Sequence, residues 1–545
     1  MKRLLLVSVV IALVSALVSC AVSTPEGGTA SSQPAGDLEL VNRALTAMGG
    51  VEAMRALRSA SIKGTVKHWE PEQSQTPGGE MRFAAESSFD ITLDIANQRA
   101  RTDWEKKFAY PAPRMFKYTE VVTPEAGYVL GVDSNGRTAR SMQSKPAAHT
   151  MSGVRLTVSQ RELRRASPAL LLEMRGNPSR VQRLANVAVG NVSYPALSYN
   201  AGPYTFIVMF DAQTGLPARV RTLDFDNMWG DVNYDLVLSD WRLLGDVRIA
   251  ASQRYELNGR TVADIRLTQM QANPALNPAG MAIPENVRAT AARPATGNVP
   301  YQWVIRRQFI GTYLDSDNAS FDTQTANPGL RLHELAPGVQ HVVGGSHNAL
   351  VVDMRDYLIV FDAPVSDWQS NWTIAAAQAR YGAKQVRYLV LTHHHMDHAG
   401  GLRRYLAQGA TLVVGRGTTA HYRRVLAAPA TRNPDLAAYD FSKTNIIEVA
   451  DRYVMNDGRR EVSAHSAENP HADGMLIGYV ADARIGFVVD IWSPGAAPLP
   501  NQITSPLAAL VNATKRAGIS PLRYAGGHGS TGEYAPLAGL AAPRQ

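Results

Sequence analysis

The sequence predicts a multidomain α+β protein, and three observations carry that prediction. The chain has 545 residues, too many for a single core at ~100–200 residues per domain. Its composition, 45% hydrophobic, 19% charged and 7% aromatic, excludes collagen-like, coiled-coil and wholly disordered chains. Its patterning also changes along the chain: the first half reads as a helix followed by half-buried strands, the second as strands alternating with helices. The 55 basic and 47 acidic residues leave a net charge of +8 without a long Lys/Arg run, so no nucleic-acid partner is expected.

Met1-Lys2-Arg3 precedes a mostly apolar run from Leu4 to Val18. The run is shorter than the ~20 residues that span a bilayer and has the length of a signal-peptide core. It ends Leu17-Val18-Ser19-Cys20, a segment that resembles the lipobox of bacterial lipoproteins. The resemblance implies cleavage before Cys20, diacylation of its thiol and anchoring to a membrane, where each buried methylene contributes ~0.8 kcal/mol. Ala21, in place of an aspartate, implies by the same resemblance the periplasmic face of the outer membrane. Cys20 is the only cysteine, which excludes an intrachain disulfide framework and thiolate zinc clusters.

The expected organisation is a leader over 1–19, a flexible linker rich in Ser, Pro, Gly and Ala over 20–36, and a helix plus antiparallel sheet over 37–290. A second linker over 291–329 then leads to a C-terminal domain over 330–545. Leu38, Val41, Leu45 and Met48 recur at helical spacing, with Asp37 as the expected N-cap and Gly49-Gly50 as the stop. From about 61 to 272 the pattern is of strands: Val232, Tyr234, Leu236 and Leu238 alternate with Asn233, Asp235, Val237 and Ser239. Asn258-Gly259 marks a hairpin, because both residues tolerate positive φ. This half-barrel-like arrangement is similar to carriers of the outer-membrane lipoprotein-carrier type, which implies an apolar groove for a lipid or hydrophobic peptide.

In the second half, Val339–Val343, Ala349–Val352 and Tyr357–Asp362 read as strands, Asp367–Tyr381 as a helix and Gln385–Leu391 as a strand. A helix near Gly401–Leu406, the strand Thr411–Val414, a helix near Thr418–Ala427 and two hairpins follow, the hairpins turning at Asn456-Asp457-Gly458 and Ala481–Arg484.

Eleven of the 13 histidines lie after residue 330, and four fall within six consecutive positions. The buried-strand sequence Tyr388–Thr392 ends in His393-His394-His395-Met396-Asp397-His398-Ala399-Gly400-Gly401. In an extended segment His393 and His395 point the same way, so both imidazoles reach one metal ion, while Asp397 and His398 beyond the turn face a second. This run resembles the HxHxDH signature of the metallo-β-lactamase superfamily, which implies an αβ/βα sandwich and two Zn²⁺ ions.

By the same resemblance His471 in Asn469-Pro470-His471-Ala472-Asp473-Gly474 joins His393 and His395 on metal one, and His528 in Gly526-Gly527-His528-Gly529 joins Asp397 and His398 on metal two. Asp490, closing the apolar run Ile485–Val489, is the implied bridging carboxylate. His471 is followed by Ala472-Asp473-Gly474 where many relatives have Thr-Pro-Gly. His394, His421 and His465 receive no ligand role: His394 should point away from its neighbours, and His421 reads as a surface residue or one behind the ligands. Asp473 reads as a residue orienting a ligand histidine or as part of a turn.

The chemistry implied is hydrolysis by a metal-held hydroxide, with Asp397 fixing it and relaying its proton to the leaving group. Lactamases with a cysteine ligand are excluded, and the expected small-molecule substrate is an ester, lactone or amide, with a β-lactam as the alternative. A reading from another class is a lipoprotein that binds a hydrophobic ligand and keeps a non-catalytic metal domain.

Overall fold

The computed structural model describes residues 34–71, 73–110, 112–133, 147–151, 153–291, 330–345 and 347–541. Cys20, the leader and most of both expected linkers lie outside the described residues.

The N-terminal part is built on a thirteen-stranded antiparallel sheet in which the strand Ser59–Glu70 pairs with the last strand, Arg260–Ala272, near the middle. The hairpin at Asn258-Gly259 has the expected two-residue turn: Leu257 pairs with Arg260, and the turn residues have φ of 49° and 79°. The helix Pro34–Ala47 packs its buried Val41, Ala44 and Leu45 into the apolar core that underlies this sheet. Its described part runs from Pro34, so Asp37 lies within the helix and not at its N-cap. Gly49-Gly50 ends it, with φ of 120° and 91°, and a second short helix, Val51–Ala56, follows.

Two helices, Gly153–Ala166 and Ala169–Gly176, interrupt the region expected to be all strand. The first is rich in Arg, and its apolar stripe is thin. Its Arg155 pairs with buried Glu120 and with Asp133 at 2.5 Å, and Arg165 pairs with Glu162 at 2.5 Å, so charge pairing stands where apolar periodicity would have betrayed a helix.

The C-terminal part holds a seven-stranded sheet and a six-stranded sheet. In the first, Leu350, Val352, Ile359, Phe361, Val390 and Val413 enter a core shared with Val462, Ile477, Val480 and Phe487 of the second. The intervening residues Val351, Val360, Leu389 and Leu412 enter the other core with Ile374, Leu402 and Val425 of three helices. Successive strand residues point to opposite faces, so strands apolar at every position are the signature of a sheet covered on both sides. The helices Asp367–Tyr381, Leu402–Ala407 and Thr419–Ala427 fall within one or two residues of expectation, and Ser505–Arg516 and the strand Arg331–Ala336 are additional elements. The molecule is thus mixed α+β, with an N-terminal antiparallel sheet domain and a C-terminal domain of two sheets flanked by helices.

Candidate metal centre

The parallel strand Val386–Val390 delivers the histidine run to one edge of the sheet pair, where the short helix Met396–Ala399 begins. Gly400 and Gly401 let that helix sit against its support: a Cβ on Gly400 would lie 2.3 Å from the Val365 carbonyl oxygen, and one on Gly401 would lie 2.0 Å from Ser370 Oγ. Asp490 follows the strand Ile485–Val488 and adopts φ 52°, a left-handed conformation that costs a non-glycine residue energy and here turns its carboxylate into the site. The loop carrying His528 is held from the first sheet: Asn348 Nδ2 donates to the Gly526 and Gly529 carbonyls at 2.9 and 3.0 Å, and His341 Nε2 lies 2.9 Å from the Gly526 oxygen.

All seven residues singled out in the C-terminal sequence converge. Together with His347 they form two groups able to hold a metal ion, His393–His395–His471–Asp490 and His347–Asp397–His398–His528, the candidate ligand atoms within each lying within 4.8 Å of one another. Asp490 faces both groups: its Oδ2 is 3.2 Å from His393 Nε2, 3.3 Å from His471 Nε2 and 3.1 Å from His398 Nε2, and its Oδ1 is 2.7 Å from His528 Nε2. His471 Nε2 and His395 Nδ1 are 3.0 Å apart.

His347 was not singled out from sequence; it stands alone between Gly344-Gly345 and the strand Ala349–Asp353, and only the fold brings its Nε2 within 3.2 Å of Asp397 Oδ2. Asp362 was also missed. It ends an apolar strand, is fully buried, and accepts from Thr392 N at 2.8 Å, Thr392 Oγ1 at 3.0 Å and His398 Nδ1 at 2.9 Å.

The unassigned histidines separate cleanly. His394 turns away, its Nε2 3.0 Å from the Ser74 carbonyl oxygen. His421 is buried, not on the surface, with its ring against His394 and Trp229. His465 contacts Ser463 Oγ at 2.8 Å. Asp473 orients no ligand histidine; its carboxylate accepts from Thr76 Oγ1 at 2.7 Å.

The donor set fits a cation. His393 Nε2, His398 Nε2, His528 Nε2 and Asp490 Oδ2 are buried atoms with no hydrogen-bond partner, yet they face one another at contact distance, an arrangement that a shared cation satisfies and water-free protein does not. Burial, with the neighbouring His395, lowers the pKa of His393 well below the ordinary histidine value. Burial, with His471, lowers that of His395 to about 3, and burial, with His528, lowers that of His347 to about 4. These three rings are therefore neutral donors at pH 7. Burial opposes a charge on Asp490, but His398, His528 and His471 outweigh it and hold its carboxyl well below the usual range. Burial likewise opposes protonation of His398, but Asp490 and Asp362 overcome it and raise its pKa well above the usual value. Exposure is graded: His393 and His398 are fully covered, whereas the side chain of His528 is 28% exposed and that of His471 18%, so the way in from solvent lies on the His528 and His471 side.

Residues 342–488 match the family model described as the metallo-beta-lactamase superfamily, so the chain carries a domain of that superfamily. Among solved structures it is similar to a metallo-beta-lactamase from Pontibacter korlensis, with 16% identity and TM-score 0.31 over 39% of this chain and 97% of that one. It is similar to a metallo beta lactamase from Hirschia baltica, with 16% identity and TM-score 0.29 over 40% of this chain and 99% of that one. It is also similar to the flavodiiron protein from Giardia intestinalis, with 17% identity and TM-score 0.29 over 39% of this chain and 57% of that one. No curated protein matches.

Proposed function

We propose that the protein is a dinuclear, zinc-dependent hydrolase acting on an ester, lactone or amide in the periplasm, anchored there through Cys20. The observation that carries this reading is the convergence of two complete donor groups on one carboxylate, Asp490. His393, His395 and His471 would hold one ion, Asp397, His398 and His528 the other, with Asp490 between them and His347 beside the second. When bound, a pair of divalent ions lowers the pKa of water toward ~7 and polarises the electrophile.

The chain's own residues do the rest. With a cation displacing the Nε2 proton, Asp362 would hold the remaining His398 proton on Nδ1 and keep Nε2 turned to the site. Asp397 is held as a carboxylate because His347 and His398 outweigh its burial, and it would orient the nucleophile and relay its proton to the leaving group. The buried floor of His393 and His398 excludes water from the far side, so the substrate enters past His528.

The test is turnover of a lactone, an aryl ester, a phosphodiester and a chromogenic β-lactam by the wild type and by His528→Ala. Cleavage of the lactone or aryl ester that fails in the variant supports the reading. Cleavage of the β-lactam alone selects the alternative substrate, and no turnover of any member by zinc-loaded protein refutes the hydrolase.

A second reading rests on a separate observation. A cavity of about 530 Å³ lies in the N-terminal domain, lined by Ile62, Phe89, Trp104, Leu163, Leu170 and Tyr255 among others, and none of the metal-centre residues lines it. It supports hydrophobic-ligand binding by the sheet domain independently of the metals, tested by displacement of a fluorescent fatty acid from the cavity.

A further inference from the structure

Between the strands Ser59–Glu70 and Arg82–Asp94 the N-terminal sheet extends a loop whose residues 73–81 lie across the face of the metal centre. Gln73 is 4% exposed, and its Nε2 donates to Asp397 Oδ1 at 2.7 Å. Tyr110 donates its hydroxyl to Gln73 Oε1 at 2.7 Å. That second bond decides the first: with Oε1 taken by a donor, the amide presents its N–H to the carboxylate, whereas the flipped amide would set two oxygens against each other. The other carboxylate oxygen, Oδ2, is the one that faces His347 and the second donor group.

We propose that this loop is a structural part of the metal centre and that Gln73, locked by Tyr110, is the positioning residue of Asp397. The loop's next residue does the same for the first group. The Ser74 carbonyl oxygen lies 2.9 Å from His395 Nε2, which must carry the proton there, and so leaves Nδ1 as the lone-pair atom turned toward His471. Arg82 at the loop's end donates to the His471 carbonyl at 2.9 Å. One segment of the sheet domain thus holds two ligand side chains that lie more than 300 residues away in sequence, Asp397 and His395, by hydrogen bonds that only the correct rotamer or tautomer can make, and Arg82 ties down the backbone that carries a third, His471. Partners of this kind typically contribute 10–100-fold to metal affinity, because an unheld ligand must be ordered at the moment of binding. The sheet domain is then a component of the hydrolytic site, not a spacer between enzyme and membrane.

The inference rests on the reading of the two donor groups as a dinuclear site, and its test separates the two. Stepwise zinc affinities of the full chain are measured by competition with a chromogenic chelator for the wild type, Gln73→Ala and Tyr110→Phe. Cobalt(II) absorption spectra and thermal melting of the same proteins accompany them. The expected result is that one of two equivalents weakens roughly 10–100-fold in Gln73→Ala and by less in Tyr110→Phe. The other equivalent and the melting curve of the metal-free protein keep their wild-type values, and the cobalt spectrum changes only in the bands of the weakened site. Both equivalents binding as in the wild type overturns the role of Gln73 and leaves the hydrolase standing. Equal weakening of both with a lowered melting temperature shows a merely structural loop and overturns it too. A wild type that takes up no zinc overturns the dinuclear reading, and the inference with it. Tyr110→Phe removes a single hydroxyl, so it serves should Gln73→Ala fail to fold.

Discussion

Asp362→Asn is a small change with a large expected consequence. In the native chain Oδ1 accepts from the Thr392 backbone N–H, while Oδ2 accepts from both Thr392 Oγ1 and His398 Nδ1, all at 2.8–3.0 Å and in a site closed to water. Asparagine keeps one acceptor and turns the other into an NH₂ that faces two donors. The threonine hydroxyl can rotate away, but the imidazole can relieve the clash only by moving its proton to Nε2, the atom that faces Asp490 and the second donor group. Loss of such a partner typically weakens metal binding 10–100-fold. At about 1.4 kcal/mol per factor of ten, that is roughly 1.4–2.8 kcal/mol. The assay is stepwise zinc competition on the folded variant, with backbone circular dichroism to show that the fold is kept. Unchanged affinity for both equivalents would refute the tautomer argument, and loss of all folded signal would show that Asp362 acts through stability and not through His398.

Four further outcomes follow from the same structure. Gly415→Ala would put a Cβ 1.7 Å from the Gly474 carbonyl oxygen, beside the loop bearing His471, and is expected to lower stability by about 1–3 kcal/mol or more in a thermal melt. Leu510→Ala, at a fully buried position of the helix Ser505–Arg516, should cost about 2–5 kcal/mol by the same measurement while leaving zinc stoichiometry intact. Lys106 is fully buried, and burial, only partly offset by Glu120, lowers its pKa from 10.5 to about 7. The unfolded chain therefore binds more protons than the folded one between those values, so the melting temperature should rise from pH 7 toward pH 10 and the rise should flatten in Lys106→Met. Stripping bound metal with a chelator should lower the melting temperature, by the equivalent of ~2.7 kcal/mol where free metal had stood at a hundred times its Kd, and an unchanged melt would argue against metal-linked stability.

What the sequence reveals here depends on how local the physical signal is. The runs Leu389–Leu391 and Ile485–Val488 are apolar throughout because both faces of their sheets are covered, and their ends point to His393 and Asp490 with little ambiguity. The ligand run is legible because chemistry needs fixed residue types at fixed spacing. His347, Asp362 and Gln73 are not, since each is an isolated polar residue whose role arises only when strand register and a loop from the other domain place it behind a ligand. The helix Gly153–Ala166 was hidden for another reason: buried arginine–carboxylate pairs stand in for part of an apolar stripe. For His421 the sequence left a surface place and one behind the ligands open, and the structure buries it, with Trp229 of the sheet domain and His394 against its ring.

The most direct test of the central claim is the metal content of the full-length protein after zinc loading and desalting, with Asp490→Ala alongside. The account predicts about two zinc ions per chain in the wild type and fewer in the variant, because both donor groups converge on that one carboxylate. No retained zinc in the wild type, or full retention in the variant, would contradict it.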